Sequence, residues 1–350
     1  MSSYLSLSRQ DTSAMKGIAI LAMLFHHVYG SPPPGVEAYG GILHVIGTLG
    51  KVCVTLFIFC SGYGLAAQYE PRNTILDDIR FVMRRLTKFY LNYWSVFVIF
   101  VPVSVLLFHR PLSAAYGTGD IPHLLLDLLG IQGHHSYNIT WWFNRLIIIL
   151  YLLFPLLYRI VRLKPWVVLL LSMALMTQFN PSSIYAWQFT FCLGIAWRCC
   201  ETDRVGIQRW MREHQNVSAG LVLCLLGCTI ILRLSPEVGY IGGERADAFF
   251  TCAIALCVVT LFRRQGVTMK ALCFFGKHST NIYLTHTFLN SYWLKDWLHT
   301  CHGSGACGWW LCGGNIIMLT ACCIMISIML EYLKQKAGIY KLANHICGKI

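Results

Sequence analysis

The sequence predicts an all-α integral membrane protein, a polytopic bundle of about ten transmembrane helices with both termini cytoplasmic. Three observations predict it. Hydrophobic residues make up 56% of the 350 and charged residues 12%, with a mean hydropathy of +0.56; a soluble domain of this length needs a more polar surface. Apolar runs long enough to enter a bilayer recur along the whole chain. The cations gather in alternate connections, as membrane orientation requires. The formal net charge of +13 therefore points to the bilayer and excludes a nucleic-acid partner. The expected organisation is one membrane domain over 1–350.

The runs, in order, are 17–29, 44–67, 89–108, 139–160, 166–176, 184–197, 217–232, 248–262, 281–297 and 309–331. The first carries two histidines and no small-residue cleavage site, so it reads as a retained anchor and not as a signal peptide. Pro102 and Pro155 are expected to kink the third and fourth. With the N-terminus inside, cytoplasmic segments take the Lys and Arg of 9–16, 72–88, 159–164, 198–212, 263–277 and 334–349. Outer segments hold only Arg110, Arg233, Arg245 and Lys295. The longest outer connection, 109–138, contains His123-Leu-Leu-Leu-Asp-Leu-Leu-Gly130, which predicts a short interfacial helix. Asn138-Ile-Thr140 matches a glycosylation sequon. The 16 cysteines lie mostly in apolar runs, where Cys serves as a small hydrophobe. Cys301 and Cys307, flanking a glycine-rich loop, are the candidate disulfide pair. No C-x-x-C occurs, so no metal site is expected.

Candidate chemistry begins with Lys16 and His27, at the two ends of the first run. Eleven helical steps of about 100° and about 1.5 Å put His27 within roughly 20° of Lys16 and roughly 16 Å deeper, near the middle of a hydrocarbon layer about 30 Å thick. An imidazole there is costly unless it has a function, and a neutral one takes a proton from a hydroxyl near pH 7. His26 points roughly 80° away from Lys16 and is the lesser candidate. Arg84, Arg85 and Lys88 form a basic block at the inner end of the third run; with Lys16 they are candidates to clamp phosphates of a cytosolic donor. Lys51 and Arg145 are cations inside runs, with Glu244 and Asp247 the nearest acids by depth. They are read either as structural ion pairs or as the lining of a polar cavity for an anionic or sugar substrate. His286 is a second intramembrane histidine. Ser61 lacks the flanks of a nucleophile elbow, its small neighbours suiting close helix packing. P-loop and dinucleotide fingerprints are absent, which leaves ATP-driven transport unsupported.

Over nearly its full length the chain resembles the acyltransferase-3 family of bacterial integral-membrane O-acyltransferases. The residues that carry the likeness are Lys16 and His27 in the first run, the segment Gly50-Lys-Val-Cys-Val-Thr-Leu-Phe-Ile-Phe-Cys-Ser-Gly62, the block Arg84-Arg85-x-x-Lys88, Trp142-Phe143 followed by Tyr151-Leu-Leu-Phe-Pro155, and Gly276-Lys-His-Ser-Thr-Asn-Ile-Tyr283-Leu-Thr-His286. The resemblance implies transfer of an acyl group, usually acetyl, from acyl-CoA as co-substrate to a hydroxyl of a cell-envelope glycan or glycolipid. The implied setting is the bacterial cytoplasmic membrane, with no bound cofactor. In that reading Lys16, Arg84, Arg85 and Lys88 hold the donor, His27 is general base or transient acyl carrier, and Lys51, Arg145, His286 and Asp247 shape the acceptor cavity. Lys16 and Lys88 stand where arginine is frequent in the family, which weakens bidentate phosphate contacts. The extra extracytoplasmic domain of some members is lacking, so transfer is expected within the membrane domain or with a separate partner. The alternative from another class is a non-catalytic transporter or exporter of a polar small molecule or glycan, with His27 relaying protons.

Overall fold

A computed structural model describes residues 5–36, 40–70, 74–132, 136–178, 184–201, 205–235, 237, 242–299 and 309–350. Of the described residues 84% are helical, and no strand occurs among them. The principal helices are α1 (Arg9–Phe25), α2 (Gly41–Ala66, including a short 3-10 stretch), α3 (Ile75–Leu106), α4 (Asp120–Leu128), α5 (Trp142–Leu163), α6 (Pro165–Gln178), α7 (Ile184–Cys199), α8 (Val205–Glu213), α9 (Gln215–Leu234), α10 (Gly243–Arg264), α11 (Gly266–Thr287), α12 (Trp309–Lys336) and α13 (Ile339–Lys349).

Helices cover all ten expected runs. Six of them, α2, α3, α5, α9, α10 and the Gly313–Lys336 part of α12, are long and apolar enough to cross a membrane. The others fall short for physical reasons. α1, α6 and α7 have 17, 14 and 16 residues, against about 20 for a full crossing. α11 is long enough but is interrupted by Lys277, His278 and Asn281. α3 runs for 32 residues, roughly 48 Å at about 1.5 Å per residue, so the helix begins ahead of Arg84, Arg85 and Lys88, which stand where its apolar run starts. Its start is fixed by Thr74, whose hydroxyl accepts the Asp77 N–H at 3.3 Å.

The chain divides into two compact units, 1–26 with 45–70 and 154–279, and 27–44 with 71–153 and 280–350. In the first unit α1 opens with a capping box between Ser8 and Asp11. The buried Asp11 carboxylate then receives Arg263 Nε at 2.9 Å and Nη2 at 2.6 Å, so the charge is paired as it leaves water. Small residues let helices meet backbone to backbone. A Cβ on Gly62 would fall 2.4 Å from Phe191 O, one on Gly194 2.3 Å from Phe59 O, and one on Gly276 1.9 Å from Ser13 O; such contacts replace hydrophobic drive between helices in lipid. Buried Cys53, Cys60, Cys192 and Cys257 are free thiols.

The second unit is built on an aromatic core of Tyr93, Phe97, Phe100, Trp141 and Phe288. Tyr93 meets Trp141 edge-on at 5.0 Å, and Phe100 stacks on Trp293 at 5.3 Å, geometries that rings favour over face-to-face sandwiches. The expected short helix in the 109–138 connection exists as α4. Its buried Asp127 accepts the Tyr137 N–H at 2.5 Å and the Tyr116 hydroxyl at 2.8 Å. Asn138, the sequon residue, is fully buried, so the match marks no accessible glycosylation site. Cys301 and Cys307 lie outside the described residues.

Candidate functional site

His27 and His286 come together in the second unit, with ring centroids 5.0 Å apart and planes tilted by 39°. Each sits where a helix departs from α geometry. α1 gives way to a π-helical turn over His26–Gly30, and α11 to another over Phe288–Trp293; such turns recur at functional sites. The uniform step of about 100° therefore applies along α1 to Phe25 and not through His27. The two turns are tied: Asn290 Nδ2 donates to the His27 carbonyl at 3.2 Å, and His299 Nε2 meets Asn290 Oδ1 at 3.2 Å.

His286 is fully buried and locked. Its Nδ1 lies 3.1 Å from Ile282 O and 2.9 Å from Tyr283 O. Both are obligate acceptors, so Nδ1 carries the hydrogen. Nε2 faces the Thr287 hydroxyl at 3.2 Å; that hydroxyl meets Thr140 Oγ1 at 3.0 Å, which bonds Asn138 Oδ1 at 2.7 Å. Residues 138–144 clamp α11 at this level. Trp141 Nε1 donates to Leu284 O at 3.2 Å, and the Tyr283 hydroxyl reaches Thr140 O and Asn144 Oδ1, each at 3.1 Å. Asn138 and Thr140 were noticed in the sequence only as a sequon, and Thr287, Asn290 and His299 were not singled out. For Thr287 and Asn290 the available signal was the density of Asn, Thr and His within the otherwise apolar run 281–297.

Lys51, Glu244, Arg233 and Asp247 belong to the first unit and are spent on one another. Lys51 Nζ lies 2.5 Å from Glu244 Oε1. Asp247, expected beside Lys51, is held by Arg233 Nε at 2.7 Å, and Arg233 Nη2 also reaches Thr48 O at 3.2 Å. Thr251 donates to Thr55 at 2.7 Å beside the Asp247 carbonyl. His26 bonds the Gly47 carbonyl at 2.9 Å.

Lys16, in the first unit, is half-buried; Arg84 and Lys88, in the second, are exposed. The side chains of these three make no ion pair or hydrogen bond among the described residues. Arg85 is half-buried, with its guanidinium 5.3 Å from the Phe81 ring centre. Arg145 is exposed on α5 and has no ionic partner among the described residues. Lys334 carries more than cytoplasmic anchoring: it is almost fully buried and donates to Asn281 Oδ1 at 2.6 Å and Asn92 Oδ1 at 3.0 Å.

A family profile described as an acyltransferase domain, that of acyltransferase-3, matches residues 11–330. No curated protein and no solved structure matches the chain. The matched stretch takes in both histidines, the basic block of α3, five of the six long apolar helices whole and most of the sixth. The chain belongs to the acyltransferase-3 family and is a multi-pass membrane acyltransferase.

Proposed function

We propose that this protein is a membrane O-acyltransferase that moves an acyl group, acetyl in the first instance, from acyl-CoA to a hydroxyl of an envelope glycan or lipid-linked sugar, with His27 as general base. The observation that carries this reading is the paired arrangement of His27 and His286 inside a neutral polar cluster. A neutral imidazole can accept the acceptor's hydroxyl proton as the oxygen attacks the thioester and return it to the departing thiolate. The tied π turns fix the backbone at His27, so its ring need not be ordered at the moment of reaction.

Donor binding rests on charge. In the second unit the unengaged side chains of Arg84 and Lys88 suit the phosphates of CoA, and Arg85 adds a planar guanidinium. Lys51, Asp247 and Arg145 take no part in the chemical step of this reading: the first two already hold other residues of their own unit. The bacterial cytoplasmic membrane is the setting proposed.

The test is CoA release from acetyl-CoA by purified protein in membranes, with and without envelope extract. His27→Ala is expected to lose at least a hundredfold in turnover, and His26→Ala to keep most of it. Equal turnover in wild type and His27→Ala refutes the assignment of the base.

A further inference from the structure

We propose that His286 holds the acceptor's proton between the two halves of acyl transfer, receiving it from His27 and handing it back. The inference deepens the acyl-transfer reading and rests on it. It follows from counting hydrogens. Three contacts run in a row from the His286 ring: Nε2 to Thr287 Oγ1 at 3.2 Å, Thr287 Oγ1 to Thr140 Oγ1 at 3.0 Å, and Thr140 Oγ1 to Asn138 Oδ1 at 2.7 Å. All four residues are buried, so water does not complete the row. Each contact needs a hydrogen of its own to be favourable.

Both ends of the row are fixed. Asn138 Oδ1 also accepts the Thr140 backbone N–H at 3.0 Å, while Asn138 Nδ2 lies 3.4 Å from the Leu284 carbonyl. Turning that amide over would set donor against donor and acceptor against acceptor, so Oδ1 faces Thr140. The Thr140 hydroxyl must then donate to Asn138. At the other end, Nδ1 between the carbonyls of Ile282 and Tyr283 carries the one hydrogen of the neutral ring, which leaves Nε2 bare. The Thr287 hydroxyl has a single hydrogen for its two contacts, Nε2 and Thr140. The row is therefore one hydrogen short. A proton on Nε2 completes it: Nε2 donates to Thr287, Thr287 to Thr140 and Thr140 to Asn138. Among the described residues the titratable group in contact with His286 is His27, and no carboxylate or cation bonds its ring. Burial keeps such an imidazole neutral at rest, and the aligned row stabilises the charge while a proton is there.

His27 is the neighbour that supplies the proton. The two ring centres stand 5.0 Å apart, so turning the rings edge to edge brings nitrogen to nitrogen. The acceptor oxygen forms a bond to the acyl carbon, its O–H proton goes to His27, and a proton passes on to His286 Nε2. The C–S bond then breaks with its electron pair going to sulfur, and the proton returns through His27 to the thiolate. Between these steps the positive charge sits where its hydrogen bonds are already built, so little reorganisation is needed. His286 acts through His27 and does not itself touch the substrate.

The experiment compares Thr287→Val and Thr287→Ser with wild type in acetyl-CoA cleavage, reading kcat and KM across about pH 5–8 and the thermal midpoint in detergent. The Val variant removes the first acceptor of the row at similar volume. The hydroxyl favours the protonated ring, so its loss is expected to move the acid limb of kcat about one unit to lower pH and to lower the plateau about tenfold. KM and the midpoint are expected to stay near wild type. The Ser variant restores the hydroxyl and should restore both the limb and the plateau. An unshifted acid limb in Thr287→Val, or a Ser variant as impaired as the Val one, overturns the inference. His27→Ala is run alongside: normal turnover in that variant condemns the base assignment, whereas slow turnover there with a wild-type profile in Thr287→Val condemns only the role of His286.

Discussion

Two polar clusters of this membrane protein, one in each unit, handle burial in different ways. The first carries full charges in its apolar interior and cancels them: Arg233 with Asp247, Lys51 with Glu244, Arg263 with Asp11. The second gathers neutral groups around His27 and His286, namely hydroxyls, carboxamides and imidazoles. An ion pair removed from water is tied to its partner, because separating the two leaves an uncompensated charge at high cost. A neutral cluster keeps spare capacity, such as a base that can take a proton. Charge in the first unit therefore serves the fold, and the uncharged cluster of the second is where chemistry is available.

Each side of the contrast can be broken. Arg233→Ala leaves the fully buried Asp247 without its partner and is expected to cost about 3–5 kcal/mol in unfolding free energy. Arg233→Met with Asp247→Leu should recover most of that, because well-packed apolar groups replace a buried pair at little cost. A single variant as stable as wild type would remove the structural role assigned to the pair.

The next effect is pH-dependent and belongs to the second unit, outside the membrane-spanning helices. Burial pushes the Asp127 carboxyl from 3.8 up to about 6, with the Tyr137 N–H and the Tyr116 hydroxyl pulling the other way. The folded protein thus holds a proton that the unfolded chain has already released. The resulting stability is fully present below about pH 4 and is lost as pH rises through about 6, a change of about 3 kcal/mol. Thermal midpoints measured across that window should fall with rising pH in wild type and stay flatter in Asp127→Asn.

Helix approach comes next. Gly276→Ala places a methyl against the Ser13 carbonyl and is expected to cost about 1–3 kcal/mol through forced separation of α1 and α11. The smallest effect is expected at Lys51. Its pair with Glu244 is partly exposed, at 22% and 32% of the side chains, so Lys51→Met should change stability by less than about 1 kcal/mol. A larger loss would mean that the fold depends on this pair as strongly as on Arg233 with Asp247.

Much of the helical framework was legible because hydropathy is a local property of the chain. Every apolar run lies on a helix, and Gly62 does serve close packing, as the small residues around it suggested. The basic block marks the inner end of the third apolar run but not the start of its helix, because charge marks the boundary of the lipid: α3 begins ahead of the block, at Ile75. His27 and His286 could each be named from their cost in an apolar run. Their contact could not, since it depends on two π turns whose hydrogen bonds leave no periodic mark. The pairing of Asp247 with Arg233 was also hidden, because Arg233 looked like an outer-loop cation by position alone.

The most direct measurement is CoA release from acetyl-CoA in the presence of envelope extract, normalised to folded protein, for two variants side by side: Arg233→Met with Asp247→Leu, and His27→Ala. If charge in the first unit serves the fold and the neutral cluster of the second performs the chemistry, the double variant keeps turnover within a few-fold of wild type. His27→Ala then falls at least a hundredfold. Full turnover in His27→Ala, or its loss in a well-folded double variant, would contradict the account.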